Sequence, residues 1–161
     1  MIRRATPDDA EAVGALYRAS FPEGFKSAYD ACTCEVFLPI LVKPSDLLLR
    51  SGRFYVRERE GKQVACGGWS VEDPGTGKVE EGVGHIRHLA VHPACWGRSF
   101  GAQLVLHCLA AARDAGLTRM KVASSLNAAG FYARMGFVPA GQAILKHGRA
   151  TFVSTRMVRE L

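Results

Sequence analysis

His88-Leu89-Ala90-Val91-His92-Pro93-Ala94-Cys95-Trp96-Gly97-Arg98-Ser99-Phe100-Gly101-Ala102 is the stretch whose reading decides how this chain folds. It opens as the end of a strand running from His85 to Val91 and stops at Pro93, which has no N–H to give to a sheet ladder. A short turn then opens a helix from about Ser99 to Ala115. Leu104, Val105, Cys108, Leu109 and Ala112 mark its apolar face, and Gly116 ends it. The first turn of a helix carries N–H groups without internal partners, at the positive end of the helix dipole. Gly97, Ser99, Gly101 and Ala102 are small enough to let an anion approach those groups, and Arg98 adds charge. A pyrophosphate fits such an arrangement. The other reading is a tight strand-to-helix turn that needs its glycines for geometry. The run is not a Walker loop, because no Gly-Lys-Ser/Thr follows, nor a dinucleotide fingerprint, because no Gly-x-Gly-x-x-Gly opens the helix.

Working outward, Ile2 to Ala5 forms a short strand, and Thr6-Pro7-Asp8-Asp9 starts a helix with Val13, Leu16 and Tyr17 on its apolar face. Pro22, Gly24, Pro39 and Pro44 interrupt residues 21–50, which predicts one broken helix or two short ones there. Phe54-Tyr55-Val56 and Val64 to Trp69 are strands joined by Glu60-Gly61-Lys62, and residues 72–77 form a loop. Met120 to Ala123 is a strand, Leu126 to Met135 a short helix ended by Gly136, and Phe137-Val138 and Thr151 to Val158 are closing strands. This order predicts an α/β (α+β) sheet domain with a crossover helix at its centre.

At 161 residues and 48% hydrophobic, the chain is sized for one domain, 1–161, with a real core. The apolar runs are too short for a membrane span, and no signal peptide is visible, so neither a membrane partner nor export is expected. Five cysteines without a secretion signal suggest free thiols and a cytoplasmic setting. Cys32-x-Cys34 has no matching pair at zinc spacing, so no metal is expected. The net charge of +6 is scattered, with no basic cluster and no nucleic-acid motif, so no nucleic-acid partner is expected. A solvated basic surface accounts for most of this charge, and a polyanionic cofactor is the next reading.

Trp96-Gly97-Arg98-Ser99-Phe100-Gly101 resembles the acyl-CoA pyrophosphate loop of the GNAT superfamily of N-acetyltransferases, usually Gln/Arg-x-x-Gly-x-Gly/Ala. Trp96 and Ser99 depart from that pattern, and Gly101 keeps it. Leu89-Ala90-Val91-His92-Pro93 resembles the family's fourth strand, where backbone groups pair with the pantetheine arm. Ser124-Ser125-Leu126-Asn127-Ala128-Ala129-Gly130-Phe131-Tyr132, followed by Gly136-Phe137, resembles its second CoA segment. The resemblance covers nearly the whole chain in element order and residues 85–137 in motif. It implies a mixed, mostly antiparallel central sheet flanked by helices.

The resemblance further implies acetyl transfer from acetyl-CoA, as co-substrate, to a primary amine on a small molecule or peptide. The cofactor would lie against Leu89, Ala90, Val91, Gly97, Arg98, Ser99, Phe100, Gly101, Ala102, Ser125 and Asn127. Ser125 holds a place where many members carry asparagine, while Asn127 either takes that role or caps the helix. Tyr132 matches the family's general acid, and its neighbour Phe131 is the better core candidate because adjacent helix residues point apart. The general base is open among Glu80, Glu81, His85, His88 and water, with Glu81 first. Strand alternation puts His85, Arg87 and Leu89 on one face and Ile86 and His88 on the other. Phe25, Tyr29 and Trp69 either line the acceptor site or belong to the core. Family members are often homodimers. A non-catalytic acyl-CoA sensor on the same fold is the alternative function.

Overall fold

The computed structural model describes all 161 residues. Seven strands make one sheet: β1 (Ile2–Arg4), β2 (Phe54–Arg59), β3 (Lys62–Ser70), β4 (Val83–Val91), β5 (Arg119–Ser125), β6 (Val138–His147) and β7 (Ala150–Glu160). Their spatial order is β1-β2-β3-β4-β5-β7-β6, and every pairing is antiparallel except β4 with β5. Parallel neighbours need a crossover, which is the helix α4 (Phe100–Asp114). β2 and β3 need only a two-residue turn. Glu60 and Gly61 both take positive φ, 52° and 75°, which matches the twist of the flanking strands.

The two-residue period of the strands sorts their side chains onto two faces. Tyr55, Ala65, Trp69, Ile86, Met120, Val122 and Met157 pack with α4 and the short helix α5 (Ala129–Arg134). Phe54, Val56, Cys66 and Ala90 pack on the other face with α1 (Ala10–Phe25) and α3 (Asp46–Arg50). Phe25 of α1 and Phe37 of α2 (Ala31–Leu41) close over Phe152 of β7 on that second face.

Two stretches differ from the sequence expectation. α1 runs through Pro22 to Phe25, and α2 and α3 follow it, so residues 21–50 hold the end of one helix and two more. Pro22 and Pro39 both fall in the last turn of their helices, so each removes one bond to the carbonyl four residues back close to where its helix ends. Asp30 and Ser45 cap α2 and α3 by accepting from Thr33 N (2.7 Å) and Leu48 N (3.3 Å). The second difference is β6, of which only Val138 was legible, yet it extends to His147. It is an edge strand exposed on both faces, so no apolar alternation marks it, and its ladder with β7 alone defines it.

Candidate active site

The parallel ladder between β4 and β5 has three pairs, Val83↔Arg119, Gly84↔Met120 and His85↔Lys121, and then ends. Beyond it β4 continues to Val91 and β5 to Ser125 as two edges that no longer pair. A bulge on β4 goes with this parting. Its register against β3 slips between Gly68↔Arg87 and Cys66↔Ala90, so Gly67 alone faces both His88 and Leu89. His88 takes a left-handed backbone, φ 50°, unusual for a residue with a Cβ. Gly67 makes room, since a Cβ there would lie 3.3 Å from the Leu89 Cα.

The extra residue corrects the alternation expected from sequence. His88 lies beside Tyr17 of α1, ring centres 5.9 Å apart, and so shares the α1 side with Arg87. Leu89 packs instead with Ile86 in the core under α4. A single bulge reverses the parity of every later side chain. Leu89, Ala90 and Val91 thus form the unpaired edge of β4, and Ser125 ends the facing edge of β5.

At the end of β4, the Trp96 indole Nε1 donates to the Val91 carbonyl at 2.8 Å. Trp96 is therefore a strut across the turn, and it takes up an oxygen the parted edge would otherwise offer. Gly97 (φ 78°) and Ser99 (φ 65°) both turn left-handed before α4 begins. Ser99 occupies the cap position of α4 with a left-handed backbone and makes no side-chain capping bond, although serine is a favoured residue there. Arg98 is exposed and makes no ion pair. The Phe100 ring is buried beneath the Arg57 guanidinium, 4.6 Å from the ring centre, leaving only its backbone N–H for a ligand. Gly101 comes close to Val91, where a Cβ would lie 3.3 Å from Cγ2, and Ala102 completes the first turn.

Tyr132 of α5 is 4% exposed, while Phe131 is only half-buried, the reverse of the expected facing. Its ring meets Phe131 and Phe137 edge-on at 5.1 and 5.5 Å. The face of α5 that carries Tyr132 packs into the α4-side core, so tertiary packing decided which neighbour turned inward. Burial, with Cys108 close by, pushes the phenol well above its ordinary value, and the hydroxyl keeps its proton at every physiological pH. Asn127 makes no capping bond, and its amide nitrogen sits 2.6 Å from where a Cβ on Gly24 would be. It therefore faces α1, away from the α4 turn, because the tight 3-10 turn Leu126–Ala128 swings it there.

Glu81 is exposed in the turn before β4, seven residues ahead of His88. Val83 N donates to Glu80 O at 3.2 Å and Gly82 holds φ 75°, so Glu81 sits on a turn at the foot of β4, farther along the chain from the bulge than His85. Glu80 is held by Lys121 at 3.3 Å. Two histidines lie nearer. Burial lowers the His85 pKa, with Asp73 opposing and Lys121 and Arg87 reinforcing the shift. Burial and Arg87 push His88 down to about 4. Both imidazoles are neutral at pH 7. Trp69 and Phe25 belong to the core, as their apolar size suggests. Tyr29 does something sequence gave no sign of. Its hydroxyl donates to Val153 O (2.7 Å) and accepts from Leu126 N (2.8 Å), tying the α1–α2 connection to β7 and to the end of β5.

With the parted strands, the bulge and the left-handed turn in place, comparison with known proteins becomes informative. The acetyltransferase (GNAT) family model matches residues 10–137. This chain belongs to the GNAT acetyltransferase family. Solved GNAT structures share its fold. A GCN5-related N-acetyltransferase (aminotransferase, class II) from Rhodopseudomonas palustris superposes with a TM-score of 0.83 at 23% identity, covering 100% of this chain and 95% of the other. PaiA N-acetyltransferase from Thermoplasma acidophilum, in complex with coenzyme A, gives 0.76 at 16% identity over 100% and 98%. N-acetylglutamate synthase from Neisseria gonorrhoeae, complexed with coenzyme A and N-acetyl-glutamate, gives 0.66 at 23% identity over 100% of this chain and 35% of that one. No curated protein sequence matches the chain. The GNAT chain gathers no group of three or more His, Cys, Asp or Glu able to hold a metal, and no helix is long and apolar enough to cross a membrane.

Proposed function

We propose that this GNAT protein transfers the acetyl group of acetyl-CoA to a primary amine by direct attack. The observation that carries the reading is the parting of β4 from β5 beyond His85↔Lys121, aligned with the left-handed turn Gly97–Ser99 at the start of α4. The pantetheine arm runs along the edge from Leu89 to Val91 and pairs with the Val91 N–H, while Ala90 is bonded to β3. The pyrophosphate meets the N–H groups of Ser99 to Ala102, with Arg98 free to turn toward it. Ser125 lines the opposite edge.

The bulged N–H near Leu89 polarises the thioester carbonyl. The amine nitrogen attacks the carbonyl carbon, the C–S bond breaks, and the leaving sulfur takes the Tyr132 proton. The excess proton on nitrogen passes to His85 through water, and holding both partners together supplies much of the rate. We assign this role to His85 ahead of Glu81, since His85 lies within β4, on the α1 side, in its neutral form.

Thermal unfolding with acetyl-CoA, against ATP as a control for generic phosphate binding, tests the cofactor reading. A hundredfold excess over Kd adds about 2.7 kcal/mol, several degrees for a domain of this size. No shift with acetyl-CoA reduces the reading to a shared fold. Tyr132→Phe is expected to cut kcat by about a hundredfold while acetyl-CoA affinity holds. An unchanged kcat removes Tyr132 from the chemistry, and acetyl-CoA binding without turnover of any amine leaves a sensor.

A further inference from the structure

The chemistry of the acceptor is written on the sheet face shared by α1 and α2. Met120, Val122 and Met157 point into the α4-side core, so the alternate residues of β5 and their β7 partners face the other way. Two cations on that face are already neutralised, Arg119 by Glu160 at 2.8 Å and Lys121 by Glu80 at 3.3 Å. Two are not. Arg87 of β4 and Arg156 of β7 make no ion pair.

Arg87 is the unusual one. It is half-buried in mid-strand, next to the bulge, and burial lowers its pKa. Its Nη1 donates to the Ser70 hydroxyl at 2.9 Å, and that hydroxyl donates onward to Glu72 O at 2.8 Å, so the group is fixed in position. Its Nε is shielded from water and has no acceptor in the protein. Glu72 and Asp73 are near enough to be felt, but the Asp73 carboxylate is turned to the N–H groups of Gly75 and Thr76 at 2.7 and 3.0 Å. With Nη1 committed to Ser70 and Nε enclosed by protein, Nη2 is the donor of the guanidinium left open to a ligand. A half-buried cation that makes no ion pair favours an anion within reach of Nη2, and a carboxylate oxygen accepts there in a charge-assisted hydrogen bond.

We propose that Arg87 binds a carboxylate of the acceptor, which makes the acceptor an amino acid, with Arg156 as an outer cation that guides it in. The inference rests on the acetyl-transfer reading and specifies its second substrate. It also fits the chain position, since only His88 separates Arg87 from Leu89, whose N–H is assigned to the thioester carbonyl.

The test is CoA release by the full chain from acetyl-CoA, using the common L-amino acids, each paired with its own carboxamide. At least one amino acid is expected to exceed its carboxamide by tenfold or more in kcat/KM. Arg87→Gln is expected to close that gap, mainly through KM for the acid, and Arg87→Lys to restore it only in part, since a single ammonium cannot hold Ser70 and reach the acid with separate nitrogens. Arg156→Gln, at an exposed position, is expected to lower kcat/KM for the acid more at low salt than at high salt, whatever the fate of the Arg87 variants. Equal rates on acid and carboxamide overturn the proposal. So does turnover of amines that lack a carboxylate when amino acids are ignored, or turnover of no pair while acetyl-CoA binds. Failure to bind acetyl-CoA at all overturns instead the reading beneath it.

Discussion

At the residue scale, the site depends on side chains whose charge is set by enclosure. His85 sits on β4 with its pKa lowered by burial, so it is neutral at pH 7 and ready to accept a proton. A base must be unprotonated to work. The His85 contribution to kcat/KM is therefore expected to be lost as pH falls through that lowered pKa and to be constant above it. Because only the unprotonated amine attacks, kcat/KM also rises about tenfold per pH unit up to the amine pKa near ~10, and protonation of His85 adds a steeper fall below its own pKa. His85→Gln is expected to remove the extra steepness of the acid limb, leaving only the slope of the amine, and about a hundredfold of rate in a kcat/KM profile from about pH 5 to about pH 9. A variant profile that keeps the wild-type acid limb would exclude His85 as the base. Of these residues, Tyr132 was a candidate through the resemblance of Phe131-Tyr132 and Gly136-Phe137 to the family's second CoA segment, whereas the enclosure of His85 was not legible. It follows from where β4 begins and which elements cover it, and neither can be read from the residues alone.

At the element scale, α4 starts in an awkward way. Ser99 holds φ 65° and ψ 12° with a Cβ, and its hydroxyl does not cap the helix in return. A left-handed residue other than glycine costs about 1–2 kcal/mol. Ser99→Gly is thus expected to stabilise the protein by up to about 1 kcal/mol, part of the gain being offset by the looser unfolded chain. That is a rise of about 2–4 °C in Tm, with acetyl-CoA binding intact. A fall in Tm of similar size would show that the hydroxyl holds the turn by other means. The departures from the family pattern at Trp96 and Ser99 now have physical roles. One is a strut to Val91, and the other is a strained hinge at the helix start. The turn itself was readable in its small residues, but the hydrogen bond from the indole was not, because it depends on how far the loop folds back over the strand.

At the scale of the whole molecule, Asp9 joins parts of the chain far apart in sequence. Its carboxylate accepts from Arg3 at 2.8 Å, from Gln63 at 2.7 Å and from the Thr6 N–H at 2.8 Å, while Arg3 also reaches Glu58 at 2.8 Å. The Arg3 guanidinium holds this carboxyl down to about 2, below its ordinary 3.8. A folded pKa below the unfolded one stabilises the fold above the unfolded value and loses that stability as pH falls through the folded value. Asp9→Asn is expected to cost about 1 kcal/mol at neutral pH, allowing for the partial exposure of Arg3. The gap to wild type is expected to shrink as pH drops from about 4 to about 2, read by denaturant unfolding. A gap that does not narrow with acid would mean the carboxylate's charge is not what Asp9 contributes. This scale also divides what the sequence determined from what it did not. Local signals settled the strand, turn and helix around residues 88–102 and the short helix ending at Gly136, because capping, glycine placement and apolar spacing act within a few residues. From their order came the fold class and the family. Tertiary structure decided the bulge at His88, the length of β6, the inward turn of Tyr132 and the unpaired charge of Arg87. Each of these is fixed by neighbours brought together from distant parts of the chain, and no spacing along the sequence records them.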